Sequence, residues 1–342
     1  MTDPCLLIGD IGGTNARFAL AKPDETGFSN EITLACADYE TAEQGIAEYL
    51  KRSGSGTPDV ICLAAAGPVV DDCVHFTNNH WVIDARMLRE QFHSSSVRLL
   101  NDFESIAYSI PLLAENDATT VGLIPAEHAG KLELTVGVLG PGTGLGTGGL
   151  LVRSGGIYPI VGEGSHAGFA PETGMQLKVL TQLRQRYDRV SSERLVSGPG
   201  LENIYWALCK IHGNAASKIT AAEIFSRVLA KEDAIAVEAT QMFFEVLGQV
   251  AGNLALALGA VDGIYLAGGI VKRYPDLLNT SSFRSGFENK GRHRSLMEKI
   301  PTLLISHPQP GLLGASHCAR ELFANPGSNP GSQTPGQSKV PE

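Results

Sequence analysis

Short apolar runs recur along the first third of the chain, each bounded by glycine, proline or polar residues. In chain order they are CLLIGDIG, NARFALAKP, EITLACAD, DVICLAAAGPV and SSVRLLNDF. Runs of this length and flanking are typical of strands that are buried on both faces. After the third run, TAEQGIAEYLKRSG has helical spacing, with Thr41 as the predicted N-cap and Glu43 on the solvent side. The sequence therefore predicts an α/β unit in this part of the chain.

Near residue 131 the same pattern starts again. The stretch KLELTVGVLGPGTGLGTGGLLVRSGG predicts strand, glycine loop and strand, and its likeness to LLIGDIGGTNARFALAK suggests an internal duplication. Helical stretches follow, including a long apolar helix from about Ala234 to Gly259. We predict a small α/β lobe of residues 1–112 plus about 308–325, and a large α+β lobe of residues 113–307. Residues 326–342 are rich in proline, glycine and serine and are predicted to be a disordered tail.

Composition narrows the class of protein. The chain has 342 residues, enough for two domains, and its 27 Lys and Arg against 36 Asp and Glu give a net charge of −9. This acidic balance argues against nucleic-acid binding. Six cysteines lie far apart with no CxxC pair, which favours reduced thiols in the cytoplasm over disulfides or a zinc site. Polar residues interrupt the N-terminal apolar run and the long helix, so neither a signal peptide nor a membrane span is expected.

Two glycine-rich turns raise the question of a bound phosphate. No GxxxxGK[ST] stretch is present, which excludes a P-loop. Gly144, Gly146 and Gly149 have Rossmann spacing, but a strand follows where a helix should begin, so we reject that match. What remains is an anion held by backbone N–H groups of two hairpin turns, helped by the hydroxyls of Thr14 and Thr143. The alternative is a pair of ordinary hairpin turns that need glycine for their backbone conformation.

Polar residues at three further places extend this hypothesis. Asp10 would repel a phosphate directly, but it suits the hydration shell of a Mg²⁺ ion that bridges phosphates. Asn101 and Asp102 stand at a strand end, where active-site residues of open α/β sheets collect, although Asp102 could instead be a helix cap. Glu163 and His166 lie in a loop of small residues, where they could bind the hydroxyls of a polyol. Zinc is the weaker alternative there, because no second His–Glu pair lies nearby.

Together these motifs resemble those of a known family. The motifs, in chain order, are GDIGGTNARFAL, LLNDF, GPGTGLG, GEGSHAGFAP, SSERLVSGPGLENIY and LAGGIVKR. Their order and spacing are similar to those of the bacterial glucokinases over residues 6–323. The resemblance implies an α/β, two-lobed, duplicated ribonuclease-H-like fold of the hexokinase and actin type, with a cleft between the lobes. The cysteine-rich zinc motif of the related repressor and sugar-kinase group is absent, so the chain resembles the zinc-free branch.

The resemblance also implies an activity and a set of site residues. The reaction would be phosphorylation of glucose at its 6-hydroxyl, with ATP and Mg²⁺ required. Asp102 would be the general base, and a carboxylate of ordinary pKa would suffice because the hydroxyl proton leaves late. The sugar would be held by Asn101, Asp102, Glu163, His166 and Glu193. The ATP phosphates would meet Gly9, Asp10, Ile11, Gly12, Gly13 and Thr14 from one lobe, with Asp10 on the metal side, and Gly142, Thr143 and Gly144 from the other. The adenosine would approach Gly268 and Gly269.

Other functions stay open at this point. The acceptor could be another aldohexose or an amino sugar, because sequence says little about hydroxyl contacts. A non-catalytic sugar-sensing regulator is disfavoured by the intact Asp102 and the acidic charge, and neither nucleic acid nor a membrane is expected as a partner. A homodimer is expected, since EDAIAVEATQMFFEVLGQV has apolar faces that could form its contact, although a core helix would look the same.

Overall fold

Two mixed β-sheets, each with helices packed on it, organise the chain. The computed structural model describes residues 4–122, 133–215 and 218–325, so the predicted tail at 326–342 lies outside the described residues. The chain forms two compact units. The first unit comprises Met1–Leu112 and Gln309–Glu342, and the second comprises Leu113–Pro308.

Strands and helices follow one another in groups along the chain. The strands are β1 (Leu6–Ile11), β2 (Asn15–Ala21), β3 (Phe28–Ala35), β4 (Val60–Ala65), β5 (Val69–Val70), β6 (Cys73–His75), β7 (Val82–Asp84), β8 (Ser96–Asn101), β9 (Ala118–Thr120), β10 (Leu134–Pro141), β11 (Leu145–Arg153), β12 (Gly156–Val161), β13 (Gly263–Leu266) and β14 (Thr302–Ile305). The helices are α1 (Ala42–Ser53), α2 (Ala85–Phe92), α3 (Asp102–Ser109), α4 (Gly174–Leu183), α5 (Gly198–Ile211), α6 (Ala221–Ala230), α7 (Ala234–Leu258), α8 (Gly269–Arg273), α9 (Pro275–Asn279), α10 (Phe283–Glu288), α11 (Arg294–Met297) and α12 (Pro310–Ala324).

The main sheet of the first unit has the strand order β3-β2-β1-β4-β8. β1 pairs antiparallel with β2, which makes the first glycine stretch a hairpin, and it pairs parallel with β4. Every residue of β4 is buried, which explains its unbroken apolar run, because parallel strands are covered on both faces. Thr41 caps α1 as predicted, accepting a hydrogen bond from the Gln44 N–H at 3.3 Å. The prediction for Glu43 is wrong, because the first turn of α1 is itself covered and Glu43 is buried with it.

The last helix, α12, completes the first unit. It packs on α3, β1 and β4, and the Ser105 hydroxyl of α3 donates to the Gly311 carbonyl at 2.7 Å. A side chain at Gly314 would overlap the Ser105 carbonyl, so glycine permits the close approach of the two helices. This packing fixes α3, and with it the residues at the end of β8.

The sheet of the second unit has the strand order β12-β11-β10-β13-β14-β9. β10 and β11 form an antiparallel hairpin, and β12 extends it antiparallel. β13 then pairs parallel with β10, and β14 pairs parallel with β13. Apart from the edge strand β9, this order repeats that of the first sheet: three antiparallel strands followed by two parallel ones.

The long helix α7 lies in the core of the second unit. By length and composition it could cross a membrane, but 56% of its most apolar window is buried inside the protein. Gly248 and Gly252 pack against the backbone of α10 at Phe283 and Phe287, with no room for a side chain. The burial pattern is that of a core helix. The sequence had allowed either a core helix or a helix that forms a homodimer contact.

Candidate active site

The first glycine loop closes the β1–β2 hairpin. The Gly12 N–H donates to the Asn15 carbonyl at 2.9 Å. The residues of this turn, Gly12, Gly13, Thr14 and Asn15, are exposed or half-buried. Gly9 and Ile11, by contrast, are buried inside β1. A Cβ at Gly9 would come 2.7 Å from Leu63 Cδ2, so glycine at this position serves packing. The turn itself is therefore the part of this stretch that can meet an anion through N–H groups.

Asp10 lies near the end of β1, opposite Arg17 of β2. Its side chain is 28% exposed, and its carboxylate lies 3.8 Å from Arg17 Nη1. Burial raises the pKa of Asp10, and the charge of Arg17 opposes that rise. A partly accessible carboxylate with one loose ion pair can accept hydrogen bonds from the water shell of a Mg²⁺ ion, so this residue fits the expected metal. Within the described parts of the chain, no group of three His, Cys, Asp or Glu side chains could hold a metal by itself.

Asn101 and Asp102 lie where β8 ends and α3 begins. Asn101 is the N-cap: its Oδ1 accepts from the Phe103 N–H at 2.9 Å, and Glu104 accepts from the Asn101 N–H at 3.3 Å. The Asn101 side chain also donates to the Gly67 carbonyl at 3.1 Å. This capping box satisfies the helix start. Asp102 is therefore the first residue of the helix. It is not the N-cap, which was the alternative that the sequence left open.

The Asp102 carboxyl has an increased affinity for protons. Burial raises its pKa to about 6, the Phe103 N–H lowers it, and the charge of Asp10 raises it. The Phe103 N–H lies 3.0 Å from Asp102 Oδ1. From the sequence we expected an ordinary carboxyl pKa to suffice for this role, and burial gives Asp102 a higher one. A general base works best when its pKa lies near the working pH, so this position suits the role predicted for Asp102.

The second glycine loop joins β10 and β11. The Gly142 N–H donates to the Gly144 carbonyl, and the Gly142 carbonyl accepts from the Gly198 N–H, both at 2.8 Å. Gly198 is the first residue of α5, and a helix N-terminus favours anions nearby. Glu193 Oε2 accepts from the Leu145 N–H at 3.0 Å, and a Cβ at Gly144 would come 2.6 Å from that oxygen. Glu193, predicted to bind the sugar, thus contacts the loop predicted to bind phosphate.

A cavity of about 600 Å³ lies beside this loop in the second unit. Gly142, Thr143 and Gly269 line it, so two glycine motifs that the sequence separates by more than a hundred residues meet at one cavity. Further lining residues come from α5, α6, α8 and their flanks: Gly198, Pro199, Glu202, Ala221, Ala222, Phe225, Ile270, Arg273 and Tyr274. The rings of Phe225 and Tyr274 stack with centroids 4.0 Å apart. A largely apolar wall with a few polar groups is typical of ligand cavities, and sequence reasoning missed these wall residues.

The two residues of the late diglycine have different surroundings. Gly268 has a φ of 92°, and a Cβ there would come 2.6 Å from the Pro141 carbonyl. Only glycine fits that position without strain. Gly269 begins α8, and a Cβ built on it would meet nothing within 4 Å in the described residues beyond its chain neighbours and its own helix. Backbone geometry therefore accounts for Gly268 and leaves Gly269 unexplained.

Glu163 and His166 lie on the surface of the second unit. Glu163 directly precedes a single 3-10 turn, Gly164–His166, which follows β12 and ends at His166. His166 Nε2 lies 3.9 Å from Glu163 Oε2, and the side chains are 55% and 68% exposed. The structure brings the two polar groups together and leaves them accessible to a ligand. The predicted site residues thus form two groups. The stretch Gly9 to Thr14, Asn101 and Asp102 belong to the first unit, and the others belong to the second.

Known proteins are similar to this chain over nearly its whole length. The glucokinase family model matches residues 7–322. The glucokinase of Marinobacter nauticus is 41% identical over 310 residues, which cover 91% of this chain and 95% of that protein. The chain belongs to the glucokinase family. A solved glucokinase from an Antarctic psychrotroph has 31% identity and a TM-score of 0.86, with 94% of this chain and 100% of that one covered.

Membership of the glucokinase family confirms the resemblance and the activity that it implied. The enzyme phosphorylates glucose with ATP, and its relatives do not favour another acceptor or a non-catalytic regulator. The α/β fold with mixed sheets is confirmed as well. It is shared by the ROK hexokinase of Thermus thermophilus, with a TM-score of 0.64 at 19% identity over 94% of this chain and all of that one.

Proposed function

We propose that Asp102 is the general base of the glucokinase reaction. It accepts the proton of the glucose 6-hydroxyl as that oxygen attacks the γ-phosphorus of ATP, while the bond to the β–γ bridging oxygen breaks and ADP leaves. The capping box carries this assignment, because Asn101 begins α3 and the Asp102 carboxylate is not needed for that purpose. A pKa of about 6 keeps the carboxylate about 90% ionised at pH 7 and makes it a stronger base than an exposed aspartate.

The sugar hydroxyls are proposed to bind a set of polar side chains from both units: Asn101, Asp102, Glu163, His166 and Glu193. A carboxylate can accept from two neighbouring hydroxyls, and histidine can donate or accept. The exposure of Glu163 and His166 supports this role, since their polar atoms are accessible. Glu193 uses one oxygen for the Leu145 N–H. Its other oxygen is proposed to accept from the sugar, which would link sugar binding to the second glycine loop.

The ATP phosphates are proposed to bind the N–H groups of both glycine loops, with the adenosine in the cavity beside Gly142 and Gly269. Two clusters of backbone donors can hold an anion without the lysine of a P-loop. Mg²⁺, when bound, would neutralise charge on the phosphates. Asp10 would accept hydrogen bonds from the ion's water shell, which keeps the carboxylate from direct contact with phosphate oxygens.

The finer architecture is also a proposal. We propose a duplicated ribonuclease-H-like fold in which the first unit is the small lobe and the second unit the large lobe, with the cleft between them. The shared strand order of the two sheets supports the duplication. A homodimer is proposed because β12 is an edge strand with exposed Tyr158 and Val161. A cytoplasmic location is proposed because all six cysteines are free thiols.

A matched pair of variants tests the role of Asp102. Asp84 is the N-cap of α2 and accepts from the Arg86 N–H at 2.8 Å, so Asp84→Asn keeps a cap and removes a charge. Asp102→Asn also keeps the shape of the side chain but removes the base. We expect Asp102→Asn to lower kcat by about 10²-fold to 10⁴-fold with glucose binding retained, and Asp84→Asn to stay near wild type. Glucose 6-phosphate formation and calorimetric glucose binding measure the two properties. An Asp102→Asn enzyme as active as Asp84→Asn would overturn the assignment.

A further inference from the structure

Asn78 and Asn79 pack beside the first glycine loop. The Asn79 side-chain amide donates to the Gly12 carbonyl at 3.1 Å, and its Oδ1 accepts from the Trp81 N–H at 3.1 Å. Trp81 is almost fully buried, and its indole N–H donates to the Tyr39 carbonyl at 3.0 Å. Asn79 therefore ties one peptide of the glycine loop to a fixed residue of the core.

This hydrogen bond determines where the next N–H group points. In a trans peptide, the carbonyl of one residue and the N–H of the following residue point in opposite directions. Since Asn79 binds the Gly12 carbonyl, the Gly13 N–H is directed away from Asn79. Both residues of this peptide are glycines, so no Cβ opposes rotation of the peptide plane. The bond from Asn79 thus selects one of two orientations that the backbone alone would allow.

The second glycine loop has the same arrangement with a different donor. There the Gly142 carbonyl accepts from the Gly198 N–H at 2.8 Å, which directs the Thr143 N–H away from α5. In both loops, the first glycine after the strand has its carbonyl bound by a donor of the protein, and the following N–H points away from that donor. The second unit achieves this with a backbone donor, whereas the first unit uses a side chain that mutation can remove.

We propose that Asn79 is a positioning residue that aims the Gly13 N–H at the phosphates of the nucleotide. This inference rests on the proposed phosphate-binding role of the first loop. Asn79 acts through the Gly12–Gly13 peptide and need not touch the substrate. Without its amide, only the weak S–H donor of Cys36, at 4.0 Å, still contacts the Gly12 carbonyl. The peptide plane could then rotate, which would present that carbonyl, a partial negative charge, in place of a donor. The phosphoryl donor is affected by that change and the sugar is not.

Two variants of Asn79 isolate the amide donor. Asn79→Asp keeps the acceptor for the Trp81 N–H but loses the donor and adds a charge. Asn79→Ala loses both bonds and adds none, so an effect common to the two variants belongs to the donor. The matched control is His80→Ala, because His80 is an exposed neighbour that contacts the Tyr39 carbonyl at 2.9 Å and leaves Gly12 untouched.

The Asn79 variants should change the KM for MgATP but not the KM for glucose. Both Asn79 variants should raise the KM for MgATP roughly tenfold, since a misplaced donor loses one hydrogen bond and its orientation, with the KM for glucose within about twofold of wild type. His80→Ala should leave both values near wild type, and all variants should match wild type in circular dichroism. Equal changes in both KM values, or an unchanged KM for MgATP in Asn79→Ala, would overturn the inference.

Hydrogen exchange separates this inference from the proposal on which it rests. In the wild type, MgADP should slow amide exchange in the peptide that contains Gly13. If it does not, the first loop does not bind phosphate and the proposed function fails at that point. If MgADP protects the wild type and Asn79→Ala equally, the loop binds phosphate and only the role of Asn79 is wrong.

Discussion

The ionisation of Asp102 should govern the acid side of the enzyme's pH profile. Its pKa of about 6 means that about 90% of the molecules carry the base form at pH 7 and about 10% at pH 5. The rate should therefore fall about tenfold for each pH unit below 6. With the ordinary value of 3.8, more than about 90% of the base would remain at pH 5 and the rate would hardly change.

The measurement is kcat/KM for glucose at saturating MgATP between pH 5 and pH 8, with product quantified after quenching. The terminal phosphate of ATP also titrates near neutral pH. A variant of the enzyme is therefore needed to decide which group causes the fall in rate at acid pH, the acid limb of the profile. The charge of Asp10 contributes to the raised pKa of Asp102. Asp10→Asn should therefore move the acid limb to lower pH in its residual activity, whereas a limb caused by ATP would stay in place.

Two results would refute this reasoning. A profile that stays flat down to pH 5, with circular dichroism showing an intact fold, would mean that the Asp102 carboxyl is not perturbed or is not the base. A limb at pH 6 that is unchanged in Asp10→Asn would assign the titration to the nucleotide. A shifted limb supports both the position of Asp102 and its interaction with Asp10.

Two further predictions concern stability. Because the folded pKa of Asp102, about 6, lies above the unfolded value of 3.8, the ionised carboxylate costs stability above about pH 6, and that cost is absent below about pH 4. Asp102→Asn should thus be more stable than wild type by about 1 to 2 kcal/mol at pH 8, allowing for screening of a half-buried group, and equal to it at pH 4, as measured by urea unfolding. Gly268→Ala should lose about 1 to 3 kcal/mol, because of its positive φ and the Pro141 carbonyl, while Gly269→Ala should unfold like wild type but bind MgATP more weakly. Equal stability of these two alanine variants would contradict the difference between their surroundings.

The strands and both hairpins could be predicted from the sequence because they depend on local patterns. A buried parallel strand such as β4 needs an unbroken apolar run, and a tight hairpin needs small residues at its turn. Glu43 shows where this reasoning stops. Its side chain stands at a helical position that local periodicity assigns to solvent, and tertiary packing on the first turn of α1 covers it.

The pKa of the candidate base could not be predicted from the sequence, whereas the start of its helix could. Asn101 and Asp102 are adjacent and both are good N-caps, but Glu104 follows Asn101 by three residues, which is the spacing of a capping box. The structure has that capping box. The pKa of Asp102 depends on burial and on Asp10, which lies about ninety residues earlier in the chain. Residues of the cavity proposed for the nucleotide, such as Phe225 and Tyr274, were missed for the same reason, since separate helices bring them together.

The structure shows why glycine occupies particular positions, which the sequence alone cannot show. A sequence shows that glycine is present but not why, and three reasons compete: a positive φ, a close contact, or space that a ligand needs. Gly268 has the first two and Gly144 has the second, through Glu193. Gly142 and Gly269 have neither, since a Cβ built on them would meet nothing within 4 Å in the described residues beyond their chain neighbours and their own helix. Both line the cavity proposed for the nucleotide. When the fold does not explain a glycine that faces a cavity, the remaining reason is the substrate, and these two residues are where the nucleotide should approach the backbone most closely.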